Sequence, residues 1–257
     1  METIETTQYK GLTVKIHPDY DSEHLGEDMR TPEPFHTYGQ WNGYNLFETE
    51  GRDDEFMAHV FDQYNAEIIK KYKSLDYSSC LDDYYDGQYG EVTREKAEAM
   101  IQKWMDAELI ILPIYVYEHG GITMRTSGFG CQWDSGQAGY IYMSKAEARK
   151  EYSSKRVDNK NMRVIEESMR EKIEYFAAIC EGSVYGYTIE DEQGEQLDSC
   201  WGFVETDYPI EETGVYMDAM SSARHYYKTR LERHIAKKKA EIINRVPVLL
   251  RTTFSLV

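Results

Sequence analysis

The sequence predicts an α+β protein: an antiparallel sheet of hairpins with helices packed mainly on one face, plus a long C-terminal helix. Three observations carry this expectation. Two pairs of apolar, β-rich runs return across short polar turns, at Leu109–Thr126 and Val184–Glu205. Other segments place their apolar residues at helical spacing instead. The resulting order, β-β-α-α-β-β-β-α-α-β-β-α, lacks the strand–helix alternation that a parallel sheet requires.

Residues 1–8 read as frayed. Leu12–His17 (LTVKIH) is a short strand that Pro18 ends. An acidic loop follows to Pro34, and the aromatic run Phe35–Phe47 reads as a second strand. From Asp54 to Leu75 the period becomes helical, with Phe56, Val60, Tyr64 and Ile68 in one stripe and Asp53 or Asp54 at its cap. Tyr77–Gly90 is a polar loop, after which Thr93 caps a second helix with Ala97, Met100, Ile101, Trp104 and Met105 on its apolar face. Leu109–Tyr117 is nearly all apolar and reads as a central strand, returned to Ile122–Thr126 by Glu118-His119-Gly120-Gly121. Gly139–Met143 is a further strand. Ser144 with Glu147 three residues on is a capping box that opens a short helix to about Tyr152. Met162–Glu181 is a longer helix with Ile165, Met169, Ile173, Phe176, Ala177 and Cys180 on one face, ended by Gly182. A second hairpin and a helix over Val215–Arg245, stopped by Pro247, complete the chain.

Charge divides the 257 residues more sharply than their net −17 suggests. Residues 1–220 carry −24 and residues 221–257 carry +7. The expected organisation is therefore an acidic α+β domain over 1–213 and a basic helix with an apolar tail over 214–257. An acidic body repels nucleic-acid phosphates, which argues against direct DNA binding by that body. The same body attracts basic surfaces, including the DNA-binding grooves of other proteins. The 22 tyrosines suit half-buried surfaces and interfaces. No long apolar run predicts a membrane span, and no signal peptide is read at the N-terminus. The four cysteines, Cys80, Cys131, Cys180 and Cys200, are far apart and read as small buried hydrophobes in a reducing cytoplasm.

Chemistry has one concentrated candidate, Cys131-Gln132-Trp133-Asp134-Ser135-Gly136-Gln137. Cys131 or Ser135 could act as nucleophile with His119 as base. The competing reading is a turn: Asp134 and Ser135 bond their own backbone, Gly136 takes positive φ, and Trp133 anchors the loop in the core. That reading is favoured, because no G-x-S-x-G and no oxyanion arrangement is legible. The seven histidines show no zinc spacing, Asp82–Gly87 lacks the ligand spacing of a calcium loop, and neither metal nor cofactor is expected.

Ile122–Tyr142 (ITMRTSGFGCQWDSGQAGYIY), the RKEY at Arg149–Tyr152, VYGYTI at Val184–Ile189 and the GEQLDSCWGF of Gly194–Phe203 resemble a family of small acidic proteins carried by bacteriophages, plasmids and integrative elements. The resemblance spans Leu109–Phe203, is weaker over Ile16–Asn45, and has no counterpart beyond about Val204. It implies a provenance rather than a chemistry: a mobile element expressed in the cytoplasm of a bacterial host. The expected role is an accessory protein that binds and inhibits a basic host protein, such as a nucleic-acid-acting defence system. The candidate partner-binding residues are Asp19, Asp21, Glu23, Glu27, Asp28, Asp82, Asp83, Asp86, Tyr84 and Tyr85. Two alternatives stand beside it: a hydrolase-like enzyme using the Cys131 loop with His119, and an assembly protein that forms homo-oligomers through its C-terminal helix.

Overall fold

The computed structural model describes residues 2–21, 32–73, 75, 88–89, 92–205 and 210–245. Their contacts divide the chain into two compact units, one of Met1–Asp21 with Gly182–Val257 and one of Ser22–Glu181. The α+β class holds in each.

The first unit is a four-stranded antiparallel sheet ordered β1-β2-β10-β11, from β1 (Glu5–Tyr9), β2 (Leu12–Pro18), β10 (Val184–Glu190) and β11 (Gln196–Val204). Residues 1–8 are expected to fray, but Glu5–Tyr9 is a strand. It pairs with β2, because Lys10 (φ 51°) and Gly11 (φ 79°) make a tight turn whose twist suits a hairpin. The helix α5 (Gly214–Arg245) covers this sheet. Val215, Ala219 and Ala223, spaced by four, are fully buried in the same core as Leu12, Val14, Ile16, Tyr187 and Ile189. The packing therefore does not break at 213/214, and the start of the helix belongs with the first strands. Beyond Arg230 the helix leaves the sheet, and residues 231–240 are all exposed.

The second unit is built on a five-stranded sheet ordered β4-β3-β9-β7-β8. Its strands are β3 (His36–Gly39), β4 (Thr49–Glu50), β7 (Leu109–Glu118), β8 (Ile122–Arg125) and β9 (Ser135–Ser144). The pairings are antiparallel except β3–β4. A separate two-stranded pair joins β5 (Gln88–Tyr89) to β6 (Val92–Thr93). Helices α1 (Phe56–Lys71), α2 (Arg94–Glu108), α3 (Lys145–Glu151) and α4 (Asn159–Cys180) complete the unit. Pro113 sits in β7 beyond the end of β8, where β9 is the strand's sole paired neighbour, so the missing N–H is tolerated.

Helices cover both faces of this sheet, not mainly one. β7 and β9 are apolar at both parities, so neither face can be left to water. Ile110, Ile114, Ile141 and Met143 pack with Ile165, Met169, Ile173 and Phe176 of α4. Leu109 and Tyr142 pack with Phe56, Val60 and Ile68 of α1 and with Ile101 and Trp104 of α2 on the other side. The Ser144–Glu147 capping box forms as expected, and α4 starts three residues earlier than its apolar stripe suggests, with Asp158 accepting from Lys160 and Asn161 backbone N–H.

The run 35–47 is not one strand. Its strand is His36–Gly39, and Asn42 (φ 41°) with Gly43 (φ 80°) turns the chain so that Trp41 and Tyr44 form an isolated bridge, with Tyr44 N–H donating to the Trp41 carbonyl at 2.7 Å. Asn-Gly is the strongest short turn signal in a sequence, and here it overrides the β propensity of its aromatic neighbours. The β3–β9 approach is close: Gly39 faces Gly139 in register with the Phe47 ring against both, and a Cβ on Gly139 would lie 2.1 Å from the Tyr38 carbonyl oxygen.

Candidate functional sites

Two groups of interacting polar side chains lie in the second unit. The first is at the turn end of β7, β8 and β9. Glu118 accepts from Trp41 Nε1 (2.9 Å), Asn42 Nδ2 (2.8 Å) and the Tyr44 hydroxyl (3.2 Å). Asn42 and Trp41 together hold its carboxyl below the usual range, slight desolvation notwithstanding. The Glu118 N–H donates to the Asp134 carbonyl at 2.8 Å, so the loop before β9 is tied to the same platform. Arg125 stacks on Phe129 at 3.9 Å while donating to the Ser127 and Gly128 carbonyls. In the loop before β9, Trp133 is 93% exposed.

That exposure overturns the expected core anchor. Trp41 fills that role: it packs against the core, with its ring carbons 3.4 Å from where a Gly136 Cβ would be. Gly136 is not among the positive-φ glycines either, because Ser135 and Gly136 already belong to β9, opposite Tyr117 and Val116. Extended pairing to β7 leaves Trp133 on the outside of the loop.

The proposed nucleophiles lie here too. Cys131 Sγ donates to Asp134 Oδ2 at 3.5 Å, and His119 Nδ1 reaches the same oxygen at 3.5 Å with its side chain 73% exposed. The Ser135 hydroxyl donates to the Cys131 carbonyl. A carboxylate thus stands between the thiol and the imidazole, and the serine closes a turn, so neither pair has a base positioned to take the nucleophile's proton. Cys131 and Cys180 are half-buried and Cys200 is exposed, so the three described cysteines are not the small buried hydrophobes expected. Burial still pushes the Cys180 thiol up to about 11.

The second group joins β3, α1 and α3. His36 Nδ1 lies 3.1 Å from Glu48 Oε2 and its Nε2 lies 3.6 Å from Glu147 Oε1. With a carboxylate at each ring nitrogen, the ring is satisfied only as the imidazolium, and its pKa is raised by the Glu147 bond against the opposing effect of burial. Glu147 also caps Ser144 N–H at 2.7 Å and receives the Tyr64 hydroxyl at 3.3 Å. Burial would raise its carboxyl, but the His36 bond and the Ser144 donors outweigh that and bring it down to about 2. His59 is the opposite case. Tyr142 donates to Gln63 Oε1 at 2.6 Å, so its oxygen accepts from His59 Nε2–H at 2.8 Å, which assigns the neutral tautomer. Burial lowers the His59 pKa. Sequence spacing concealed this network, since its members lie at 36, 48, 59, 63, 142 and 147. The capping box alone pointed to Glu147, and only for its backbone role.

The two imidazoles should titrate on opposite sides of the unperturbed value of about 6.5. In a histidine-selective NMR titration His36 is expected to have its midpoint above that value and His59 below it. The signs for stability follow. The His36 contribution is complete below about pH 6.5 and is lost as pH rises through its higher folded pKa. His59 costs stability as pH falls below about 6.5, because the unfolded state then binds the proton more readily. His36→Gln should abolish the alkaline loss and leave the acidic one; an unchanged profile overturns the pairing of His36 with Glu48 and Glu147.

Of the expected partner-binding residues, Asp19 and Asp21 are described, and Glu23, Glu27, Asp28, Asp82, Asp83, Tyr84, Tyr85 and Asp86 lie outside the described residues. The Asp19 carboxylate is used internally: it accepts from Gly202 N–H and Asp21 N–H, both at 3.1 Å. Asp21 is exposed. Among the described residues no cluster of His, Cys, Asp or Glu could hold a metal ion, and no helix is long and apolar enough to cross a membrane.

No family model, no curated protein and no solved structure matches this chain.

Proposed function

We propose that this chain is an accessory protein of a mobile genetic element, made in the cytoplasm of a bacterial host, that binds and inhibits a host protein with a basic surface. A nucleic-acid-acting defence protein fits best, because its groove carries the charge that an acidic surface complements. The observation that carries the reading is Trp133, 93% exposed in the loop before β9, next in sequence to Asp134, whose carbonyl accepts from the Glu118 N–H. A large aromatic left in water on a loop tied to a strand by hydrogen bonds has the composition of a binding hot spot. The −24 carried by residues 1–220 adds long-range attraction for a basic partner.

The test is quantitative cross-linking and capture from host lysate at low and moderate salt, with the wild type and Trp133→Ala side by side. A partner retained by the wild type should bind Trp133→Ala about 30-fold more weakly, the equivalent of about 2 kcal/mol. Equal recovery by both proteins removes the tip from the interface, and no specific partner at either salt sinks the proposal.

A second reading rests on a different surface. Leu231, Ile235 and Ile242 are 43%, 45% and 59% exposed on the projecting part of α5, within about 40° of one another around the helix. A second copy of the chain packed on this stripe is the partner it suits. Light scattering of a variant with all three changed to Gln should then report a smaller mass than the wild type; equal masses discard the dimer.

A further inference from the structure

The first unit has a cleft of about 400 Å³ where α5 diverges from its sheet. Leu12 of β2, Leu197 of β11 and Tyr226 supply its apolar side, and Thr229, Arg230 and Arg233 its polar rim. Leu12 is buried, whereas Leu197 and Tyr226 are half-buried and present carbon surface to the opening. The four helix residues are spaced i, i+3, i+4 and i+7, so one face of α5 aims them all at the same place. That spacing puts two guanidinium groups one turn apart above an apolar floor.

The two arginines differ in their commitments. Arg230 Nη2 donates to Glu192 Oε1 at 3.3 Å, both side chains being about half exposed, so the rim already accepts one carboxylate from its own β10–β11 turn. Arg233 makes no ion pair among the described residues. His225 adds a further nitrogen to the lining. The rim lies in residues 221–257, the part of the chain that carries +7. The cleft's field favours an anion, its floor favours hydrocarbon, and its size lies within the usual range for small-ligand pockets.

We propose that this cleft binds a small amphipathic carboxylate, with an apolar chain or ring against Leu12, Leu197 and Tyr226 and the carboxylate held by Arg233 and the outer edge of Arg230. The site is independent of the Trp133 tip and stands or falls without it. Guanidinium geometry matches a carboxylate with two parallel hydrogen bonds, and an apolar floor excludes a fully hydrated anion.

The full chain is titrated with octanoate, octanol and acetate by calorimetry and ligand-observed saturation-transfer NMR. Octanoate should bind at least tenfold more tightly than either control, because octanol lacks the charge and acetate lacks the chain. Arg233→Ala should weaken octanoate about tenfold and erase the preference over octanol, and Leu197→Trp, which fills the cleft, should weaken both long-chain probes. Arg233 is exposed, so its loss leaves folding intact, which circular dichroism checks independently. No binding of octanoate, equal binding of octanol, or an Arg233→Ala variant as tight as the wild type would each overturn the assignment.

Discussion

Trp104→Ala is expected to lower the unfolding free energy of the second unit by about 3–5 kcal/mol. Trp104 is fully buried on the inner face of α2, among Phe61, Tyr64, Ile68, Ile101 and Leu109, with its ring 5.2 Å from that of Tyr64. Removing the indole forfeits the transfer of its whole surface from water. It also leaves a cavity that two helices and a strand, each pinned elsewhere, can close only in part. Urea unfolding followed by far-UV circular dichroism should show the midpoint shifted with little change of slope. Trp133→Ala in the same experiment should move stability by less than about 0.5 kcal/mol, since its ring is already in water. Equal effects of the two substitutions would contradict the packing described here.

Gly139→Ala is expected to cost about 3 kcal/mol or more, for a reason that has nothing to do with lost contacts. The added methyl would lie 2.1 Å from the Tyr38 carbonyl oxygen and 2.7 Å from Gly39 Cα. Both are backbone atoms of the facing strand, so relief requires β3 to separate from β9. Gly136→Ala in the same strand is the control, because its methyl would meet only the Trp41 ring, at 3.4 Å. That substitution should cost about 1 kcal/mol or less. Since β3 carries His36, separation of the strand would also return the His36 titration towards about 6.5, which NMR can follow in parallel.

Much of this fold was legible in the sequence, and the reasons are local. The 3.6-residue stripe of Ile165, Met169, Ile173 and Phe176 marked α4, and all four are buried. The hairpin turn at His119-Gly120-Gly121 and the Ser144–Glu147 box were readable because each is made by residues within three or four positions. Asn42-Gly43 is an equally local signal, masked by the β propensity of the aromatic run around it. The candidate sites were less legible. Nothing near His36 in the chain announces Glu147, and the Cys131–Gln137 run does not itself say that the Asp134 carboxylate would accept a hydrogen bond from the Cys131 thiol. Hydrophobicity alone places Trp133 in the core, but a tryptophan's burial depends on which side of a strand's first residue it falls.

The sequence by itself determined the element types, most of their ends, and the split between an acidic body and a basic helix, because period, caps and charge are summed over neighbouring residues. Tertiary structure alone decided that the β7–β9 sheet is covered on both faces and that α5 begins inside the first core and ends in water. It also decided that six residues spread over 36–147 meet as one group of polar side chains and that Arg230 and Arg233 face an apolar cleft. Those outcomes depend on register and on which surfaces come together, and one-residue shifts of a strand exchange its two faces.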